Sequence, residues 1–128
     1  MARSLSSKLV LTGFLLVLAM MSNGVLARGP APADPSMSVA ELPSQGAETY
    51  RRILKGGPFP YEKDGTVFGN RERRLPVHKR GYYREYTVAT PGARNRGTRR
   101  IVCGGPPTTP ETCYYSDDHY ESFRRIVP

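Results

Sequence analysis

The chain has 128 residues and a formal net charge of +8, because 19 Lys and Arg residues outnumber 11 Asp and Glu residues. This length suits one domain and excludes two domains of full size. Hydrophobic residues make up 38% of the sequence, which disfavours a wholly disordered chain. No apolar run reaches the ~18 residues of a membrane-spanning helix.

The first 27 residues have the pattern of a secretory signal peptide. Arg3 and Lys8 form a basic start, residues 9–21 are an apolar run, and residues 25–27 offer small side chains before a cleavage point. The apolar run is too short for a membrane anchor. We therefore expect a secreted, extracellular protein whose mature form, residues 28–128, has no membrane attachment and a formal charge of +6.

A flexible arm and then a helix are predicted next. Residues 28–41 are rich in Pro, Ala and Ser, which is typical of a flexible N-terminal arm or a short pro-segment. Ser44 can cap a helix, and Gly56-Gly57-Pro58 ends it. The folded domain is expected from residue 42 to residue 128. Helical spacing predicts one apolar stripe, made of Ala47, Tyr50, Ile53 and Leu54.

Short strands follow the helix. Residues 66–68 form one candidate, between two turn signals. Two longer β-rich runs, residues 81–90 and 98–103, are joined by a turn-forming loop, which predicts an antiparallel hairpin. Residues 113–115 and 120–126 are predicted as further strands. The pattern predicts an α+β domain in which one N-terminal helix packs on an antiparallel β-sheet.

The hairpin gathers charged side chains on one face. Alternation along the strands puts Glu85 on the same face as Arg96 and Arg100. With the loop centred near Gly92, Glu85 would lie opposite Arg100, and Ala89 opposite Arg96. Strand geometry alone leaves open an ordinary ion pair on a solvated face. The opposite face carries apolar side chains that suit packing against the helix, which are Tyr86, Val88 and Ile101.

The two cysteines, Cys103 and Cys113, both lie in the exported part. An oxidising compartment favours a disulfide between them, with two free thiols as the alternative. Closing this short loop is expected to contribute about 2.5–3 kcal/mol through chain entropy. A metal site is not expected, because two Cys and the distant His78 and His119 lack the spacing of zinc ligands.

Several stretches of the sequence carry a resemblance to a known family. They are residues 57–61, 64–72, 75–76, 81–88, 90–101, 114–115 and 118–120, with Phe123 after them. Together they resemble the microbial guanyl-specific ribonucleases, the family of barnase and its smaller secreted bacterial relatives, over roughly residues 42–126. The resemblance implies the microbial ribonuclease fold. It also implies a metal-independent endoribonuclease, without cofactor, that cleaves single-stranded RNA after guanosine.

The resemblance assigns roles to individual residues. Glu85 matches the general base of the family, His119 its general acid, and Arg96 and Arg100 its phosphate-binding arginines. Tyr120 matches the tyrosine that lines the phosphate and base site. The guanine loop matches residues 68–72, which gives as candidate substrate-binding residues Phe68, Asn70, Arg71 and Glu72.

These residue types suit the chemistry. A carboxylate can take the proton of the ribose 2′-hydroxyl while an imidazolium protonates the departing 5′-oxygen, and two guanidinium groups stabilise the charge between them. The first product is a 2′,3′-cyclic phosphate, which the same pair then hydrolyses. The Glu72 carboxylate can accept from N1 and the exocyclic amine of guanine, and backbone amides near Asn70 and Arg71 can donate to O6. For Phe68, core packing is favoured over stacking on the base.

The sequence departs from the family in three places. Gly69 stands where a polar side chain is usual in the guanine loop. Arg84 replaces a common histidine before the general base, which adds charge near the site. Both cysteines sit late in the chain, whereas the small relatives tie an N-terminal cysteine to one near the C-terminus.

A different class of function is a non-catalytic cationic protein on the same fold, which would bind RNA or act as an antimicrobial. The presence of the base, the acid and both arginines together favours the enzyme. The expected partners are RNA and, from the resemblance, a small acidic intracellular inhibitor similar to barstar. We expect a monomer.

Overall fold

The structure, a computed structural model, describes residues 35–128. The predicted signal peptide and residues 28–34 of the predicted arm lie outside this range. The elements in chain order are β1 (Ser36–Ser38), a short 3-10 helix (Val39–Glu41), α1 (Ser44–Lys55), β2 (Thr66–Val67), β3 (Tyr83–Thr87), β4 (Arg100–Gly104), β5 (Thr112–Ser116) and β6 (Arg124–Val127). Within residues 35–128, no helix has the length and apolar character to cross a membrane.

The six strands form one sheet in the order β1-β6-β5-β4-β3-β2. Every neighbouring pair is antiparallel except β1 and β6, which run parallel at one edge. The helix α1 packs on one face of this sheet. The predicted α+β class is therefore confirmed, with one parallel pair in a sheet predicted to be antiparallel throughout.

Part of the predicted flexible arm belongs to the sheet. Residues 36–38 pair with β6, and Met37, opposite Ile126, is buried in the core. Residues 39–41 continue as the 3-10 helix, where the Glu41 carboxylate accepts a hydrogen bond of 2.8 Å from the backbone nitrogen of Ser38. The arm assignment is thus wrong for residues 36–41, because one apolar side chain and the β6 edge were enough to order a Pro- and Ser-rich segment.

The helix begins and ends close to the predicted points. Gly56 ends it in the left-handed conformation, with φ of 86°. Pro43, not Ser44, occupies the N-cap, and Ser44 is the first helical residue without a capping hydrogen bond. Ile53 is buried as predicted, but Leu54 is 45% exposed, because it lies about 100° further round the helix.

The core lies on both faces of the sheet. On the helix side, the buried apolar cluster includes Ile53 from the helix and, as predicted, Tyr86, Val88 and Ile101. The opposite face holds a smaller cluster, formed by Leu75, Tyr83, Val102 and Tyr114. This second cluster supports the loops that carry the site described below, since Phe68, Tyr120 and Phe123 pack against it.

The register of the β3–β4 hairpin differs from the predicted one by two residues. Thr87, not Glu85, lies opposite Arg100, and Glu85 lies opposite Val102. Arg96 belongs to the connecting loop and not to a strand, because β4 begins only at Arg100. A shift of two residues preserves the face of each side chain, so Glu85 and Arg100 still lie on the same side of the sheet.

The strand bounds differ elsewhere as well. The predicted strand over residues 120–126 is observed only from Arg124, because residues 117–122 form a turn. Cys103 and Cys113 face each other across β4 and β5 and form a disulfide, as predicted.

Candidate active site

Glu85 lies in the middle of β3, with 17% of its side chain exposed. Its Oε1 accepts a hydrogen bond of 2.7 Å from the Tyr120 hydroxyl and one of 3.2 Å from Nη2 of Arg96. The Arg96 guanidinium is held in turn by Thr87, whose Oγ1 accepts from Nε at 3.0 Å and from Nη2 at 2.8 Å. The carboxylate is therefore fixed in place by two donors from different loops.

Arg100 is a buried cation at the start of β4, with 2% of the residue exposed. Nη1 donates to the backbone oxygens of Gly97 at 3.1 Å and of Arg99 at 2.8 Å, and Nε donates to the Tyr120 hydroxyl at 3.2 Å. Within residues 35–128 no carboxylate lies within ion-pair distance of it. The site thus holds a desolvated positive charge that an anion can neutralise.

Gly97 matters to this arrangement because its carbonyl holds Arg100. Its φ is 67°, and a Cβ at this position would lie 2.5 Å from Oγ1 of Thr90. A side chain here would displace the loop that carries Arg96. Glycine is therefore required between the two arginines.

Tyr120 connects the charged groups of the site. Burial, followed by the hydrogen bond to Glu85, raises the pKa of Tyr120 to about 12. The phenol is therefore protonated at neutral pH and donates to the carboxylate. Its ring packs on Phe68, with centroids 4.9 Å apart, and lies 5.8 Å from the guanidinium carbon of Arg100.

His119 precedes this tyrosine in the turn after β5 and is exposed to solvent. Its backbone nitrogen donates to the carbonyl of Thr98 at 2.9 Å, which fastens the turn to the loop that carries Arg96. The imidazole lies beside the Tyr120 ring, with centroids 4.8 Å apart. The structure thus places an exposed histidine beside Tyr120, the residue that bonds to both Glu85 and Arg100.

Asp118 organises the same turn, a role that the sequence analysis missed. Its carboxylate accepts hydrogen bonds from Ser116 and Ser122. The hydroxyl of Ser122, above all, lowers the pKa of Asp118 below its ordinary value. The serine four residues after an aspartate is a common signal for such a local bond, and it could have indicated this turn.

A cleft of about 360 Å³ lies next to these residues. One wall is the predicted guanine loop, residues 68–72, and the other is the turn with His119 and Tyr120. The structure therefore places every predicted guanine-loop residue beside the predicted general acid. The remaining lining residues are Arg74, Glu121 and Phe123.

Asn70 and Phe68 shape the guanine loop from within. The Asn70 side chain accepts from the backbone nitrogen of Leu75 at 3.1 Å and donates to its oxygen at 3.0 Å. This clamp holds Asn70 itself at a positive φ of 51°. Phe68 is half-buried against Tyr120 and Phe123, in agreement with the packing role favoured for it.

Charged side chains line the rim of the cleft. The Glu72 side chain is 70% exposed, and its Oε1 accepts from Nε of Arg74 at 3.2 Å. The other end of this guanidinium lies 3.5 Å from Glu121. Arg71 is exposed beside them. Such exposed ion pairs are weak, so the Glu72 carboxylate can exchange partners when a ligand arrives.

Arg84 does not contribute charge to the site, contrary to the sequence-based expectation. It alternates with Glu85 along β3 and lies on the opposite face, where Nη1 donates to the carbonyl of Gly65 at 2.9 Å. His78 is exposed and stacks on Tyr82, away from the cleft. In the part of the chain that the structure describes, no group of three or more His, Cys, Asp or Glu side chains could hold a metal ion.

Comparison with known proteins extends these observations. A family model described as ribonuclease matches residues 28–127. The chain is 52% identical to guanyl-specific ribonuclease St of Saccharopolyspora erythraea, over 77% of this chain and 94% of that protein. It is 55% identical to guanyl-specific ribonuclease Sa3 of Kitasatospora aureofaciens over 66% of this chain, a match that spans only 58% of the length of Sa3.

Solved structures of ribonuclease Sa2 have the same fold. A structure of its complexes with mononucleotides superposes with a TM-score of 0.70 at 49% identity and covers 77% of this chain and 98% of that one. The crystal structure of Sa2 with guanosine-2′-cyclophosphate gives a TM-score of 0.68, also at 49% identity, over 75% and 98%. On the family match, these identities and the shared fold, the chain belongs to the family of guanyl-specific ribonucleases.

Proposed function

We propose that this protein is a secreted endoribonuclease that cleaves single-stranded RNA after guanosine through a 2′,3′-cyclic phosphate. The observation that carries the proposal is that Tyr120, which lines the cleft together with His119, bonds to both Glu85 and Arg100. Arg96 bonds to the same carboxylate. The relatives named guanyl-specific ribonucleases support the choice of base, and the complex of Sa2 with a guanosine cyclophosphate supports the intermediate.

In the first step Glu85 acts as the general base. Both of its hydrogen bonds involve Oε1, and Oε2 has no hydrogen-bond partner among residues 35–128. Oε2 can therefore accept the proton of the ribose 2′-hydroxyl as that oxygen attacks the phosphorus. Arg96 and Tyr120 keep the carboxylate oriented during the transfer.

The two arginines stabilise the charge that develops on the phosphate oxygens. Arg100 is buried and already oriented by backbone carbonyls, so little reorganisation is needed when the phosphate binds. Arg96 bonds to both Glu85 and Thr87, which holds its positive charge beside the proposed base. A partly desolvated environment strengthens both interactions.

His119 acts as the general acid. Its exposed imidazole, when protonated, donates a proton to the 5′-oxygen as the bond between phosphorus and that oxygen breaks. The products are a guanosine 2′,3′-cyclic phosphate end and a free 5′-hydroxyl. In the second step His119 takes a proton from water, the hydroxide attacks phosphorus, and Glu85 returns its proton to the departing 2′-oxygen.

Guanine selection is proposed for the cleft wall formed by residues 68–72. The Glu72 carboxylate would leave Arg74 to accept from N1 and the exocyclic amine of guanine, while backbone amides of the loop donate to O6. Adenine presents the reverse pattern on this edge and would leave these groups unpaired. Gly69 contributes only its backbone, so the selection depends on Glu72 and on the shape of the loop.

We also propose where the enzyme acts, which kind of protein inhibits it and its oligomeric state. The signal-peptide pattern of the first 27 residues supports export, and the disulfide between Cys103 and Cys113 suits an oxidising compartment. The buried arginine charge and the exposed Arg71 favour an acidic protein inhibitor, similar to barstar, as a partner in the producing cell. The enzyme acts as a monomer on RNA.

A defined RNA of mixed sequence tests the proposed function. We expect cleavage on the 3′ side of guanosines, first with cyclic phosphate ends and later with 3′-phosphate ends, detected by mapping the fragments. The E85Q variant provides the matched control. Binding of RNA without cleavage would instead identify the cationic binding protein, and cleavage without base preference would refute the guanine site.

A further inference from the structure

The turn after β5 places two functional side chains on an unusual backbone. His119 has φ of 57° and Tyr120 has φ of 76°. Residues other than glycine seldom adopt the left-handed region, and two in succession require support from their surroundings. The positions of both side chains therefore depend on whatever holds this turn.

Asp118 supplies that support from within the turn. Its Oδ1 accepts from the Ser116 hydroxyl at 2.9 Å and from the backbone nitrogen of Ser122 at 3.0 Å, and its Oδ2 accepts from the Ser122 hydroxyl at 2.6 Å. The Ser116 oxygen also accepts from the backbone nitrogen of Tyr120 at 3.0 Å. One carboxylate thus joins the end of β5 to the far side of the turn.

The anchor of this network, Ser116, is buried. Ser116 is 1% exposed and lies opposite Arg100 in the sheet. Because Asp118 bonds to this buried serine of β5, the turn is fastened to the strand that pairs with β4, which carries the phosphate-binding arginine. A free rotation of the turn would break these bonds together.

A second set of contacts joins the turn to the arginine loop. The backbone nitrogen of His119 donates to the Thr98 carbonyl, and the Thr98 hydroxyl donates to the carbonyl of Asp117, both at 2.9 Å. These contacts lie beside Gly97, whose carbonyl holds Arg100. The backbone of His119 is therefore tied to the arginine loop by hydrogen bonds that persist only while the turn keeps its shape.

We propose that Asp118 is a positioning residue for catalysis, which fixes the left-handed turn so that His119 faces the leaving oxygen and Tyr120 reaches Glu85. The inference rests on the proposed role of His119 as general acid. Asp118 does not contact the substrate; it acts through the two residues that follow it. Its hydrogen bonds also favour the ionised carboxylate, so the network holds in moderately acidic solution.

The leaving group of the substrate distinguishes positioning from simple stabilisation. A dinucleotide such as guanylyl-uridine needs a proton on its departing oxygen, whereas guanosine 3′-(4-nitrophenyl phosphate) releases a phenolate that needs none. We expect H119A to lose about 100-fold or more in kcat on the dinucleotide. Its fold-loss on the aryl ester should be smaller by a factor of at least about ten. D118A should show the same selectivity, with a loss of about 10- to 100-fold on the dinucleotide.

Matched variants control for charge and for folding. Asp117 precedes Asp118, and among residues 35–128 its side chain makes no hydrogen bond or ion pair, so D117A removes the same charge without the network. D118N keeps an oxygen acceptor and should recover part of the loss. Thermal denaturation shows which variants are folded at the assay temperature, and S122A, which removes only the 2.6 Å bond, replaces D118A if the latter is unfolded.

Each outcome decides the inference. Equal losses of D118A on both substrates, or an equal loss in D117A, would overturn it, because neither depends on the acid. If H119A shows the leaving-group difference and D118A does not, the inference alone fails. If H119A shows no difference, the general-acid assignment fails first and the inference with it.

Discussion

The phenol of Tyr120 donates a hydrogen bond of 2.7 Å to the carboxylate of Glu85, although the two residues are 35 positions apart in the sequence. The phenol oxygen also accepts from Arg100 at 3.2 Å. Glu85, the buried Arg100 and the neutral Tyr120 phenol are therefore joined in one hydrogen-bonded network. A substrate phosphate has to enter this network and replace some of its bonds with equivalent ones.

The acid–base assignment predicts two inactive variants. E85Q and H119A should each lose about two or more orders of magnitude in kcat/KM, because each removes a proton transfer from the transition state. The wild-type profile should be bell-shaped in pH, because the proposed general base must be ionised and the proposed general acid protonated in the same step. Steady-state rates on a guanosine dinucleotide, with and without EDTA, check this. Wild-type activity in either variant, or inhibition by EDTA, would contradict it.

The guanine site predicts a change in specificity in E72Q. Loss of the carboxylate should lower kcat/KM for guanosine sites by about 10- to 100-fold, which is the usual size of a charge-assisted hydrogen bond, and leave cleavage after adenosine nearly unchanged. E121Q, which alters the other partner of Arg74, is the matched control and should keep the preference. Competition between two labelled oligonucleotides measures the ratio directly. An unchanged ratio in E72Q would remove Glu72 from base selection.

Tyrosine ionisation predicts a loss of stability at high pH. The pKa values of Tyr82, Tyr83 and Tyr120 are each raised to about 12 from 10.0. A raised folded-state pKa means that the folded protein favours the protonated phenol, so this contribution is complete below pH 10 and is lost as the pH rises toward 12. Thermal denaturation from pH 8 to 12 should show this decline, and Y120F should reduce its steepness. A flat curve above pH 10 would contradict the hydrogen bond of Tyr82 to Glu111 and the burial of Tyr83 and Tyr120, which raise these pKa values.

The disulfide predicts stability without an effect on specificity. The C103S/C113S variant should unfold more easily by about 3 kcal/mol, because the unfolded chain regains the entropy of the loop between the cysteines. The pair lies at the end of β4 and β5 remote from the opposed Arg100 and Ser116, so the site should keep its base preference. Denaturant titration and fragment mapping test the two parts. Altered cleavage sites in the folded variant would show that the disulfide shapes the cleft.

Cellular toxicity tests the proposed need for an inhibitor. Residues 28–128, produced without the predicted signal peptide, should arrest a host cell, because its RNA is exposed to the enzyme. E85Q produced at the same level should be tolerated. Equal toxicity of the two proteins would indicate an effect of positive charge rather than of RNA cleavage.

Local sequence signals and the family resemblance together predict most of the fold and of the candidate site. Glycine at the helix end, β-rich runs and strand alternation identified α1, β3, β4 and the shared face of Glu85 and Arg100. The hairpin register was wrong because it assumed a symmetric loop, whereas residues 88–99 form an irregular connection shaped by Gly97 and by the contacts of Arg96.

The missed features depend on tertiary contacts. The strand at Ser36–Ser38 is too short to show a hydrophobic periodicity. It is formed by pairing with β6, which lies at the other end of the sequence. The hydrogen bonds of Asp118 to the two serines form only in the folded turn. The contact between Tyr120 and Glu85 forms only when the turn packs on the sheet. Local pattern predicts an element, but it does not predict which distant group completes its hydrogen bonds.

The parallel pairing of β1 with β6 has a consequence for when the enzyme can become active. The first strand of the described domain finds its partner only in residues 124–127, so completion of the sheet is a highly non-local event. In a chain that is exported starting from the predicted signal peptide, this partner strand emerges last. β6 pairs with β1 on one side and with β5 on the other. The strand β5, which precedes the turn with His119, therefore gains this neighbour only when the whole chain is available. Full assembly of the nuclease would then coincide with the end of translocation, outside the cell whose RNA it could cleave.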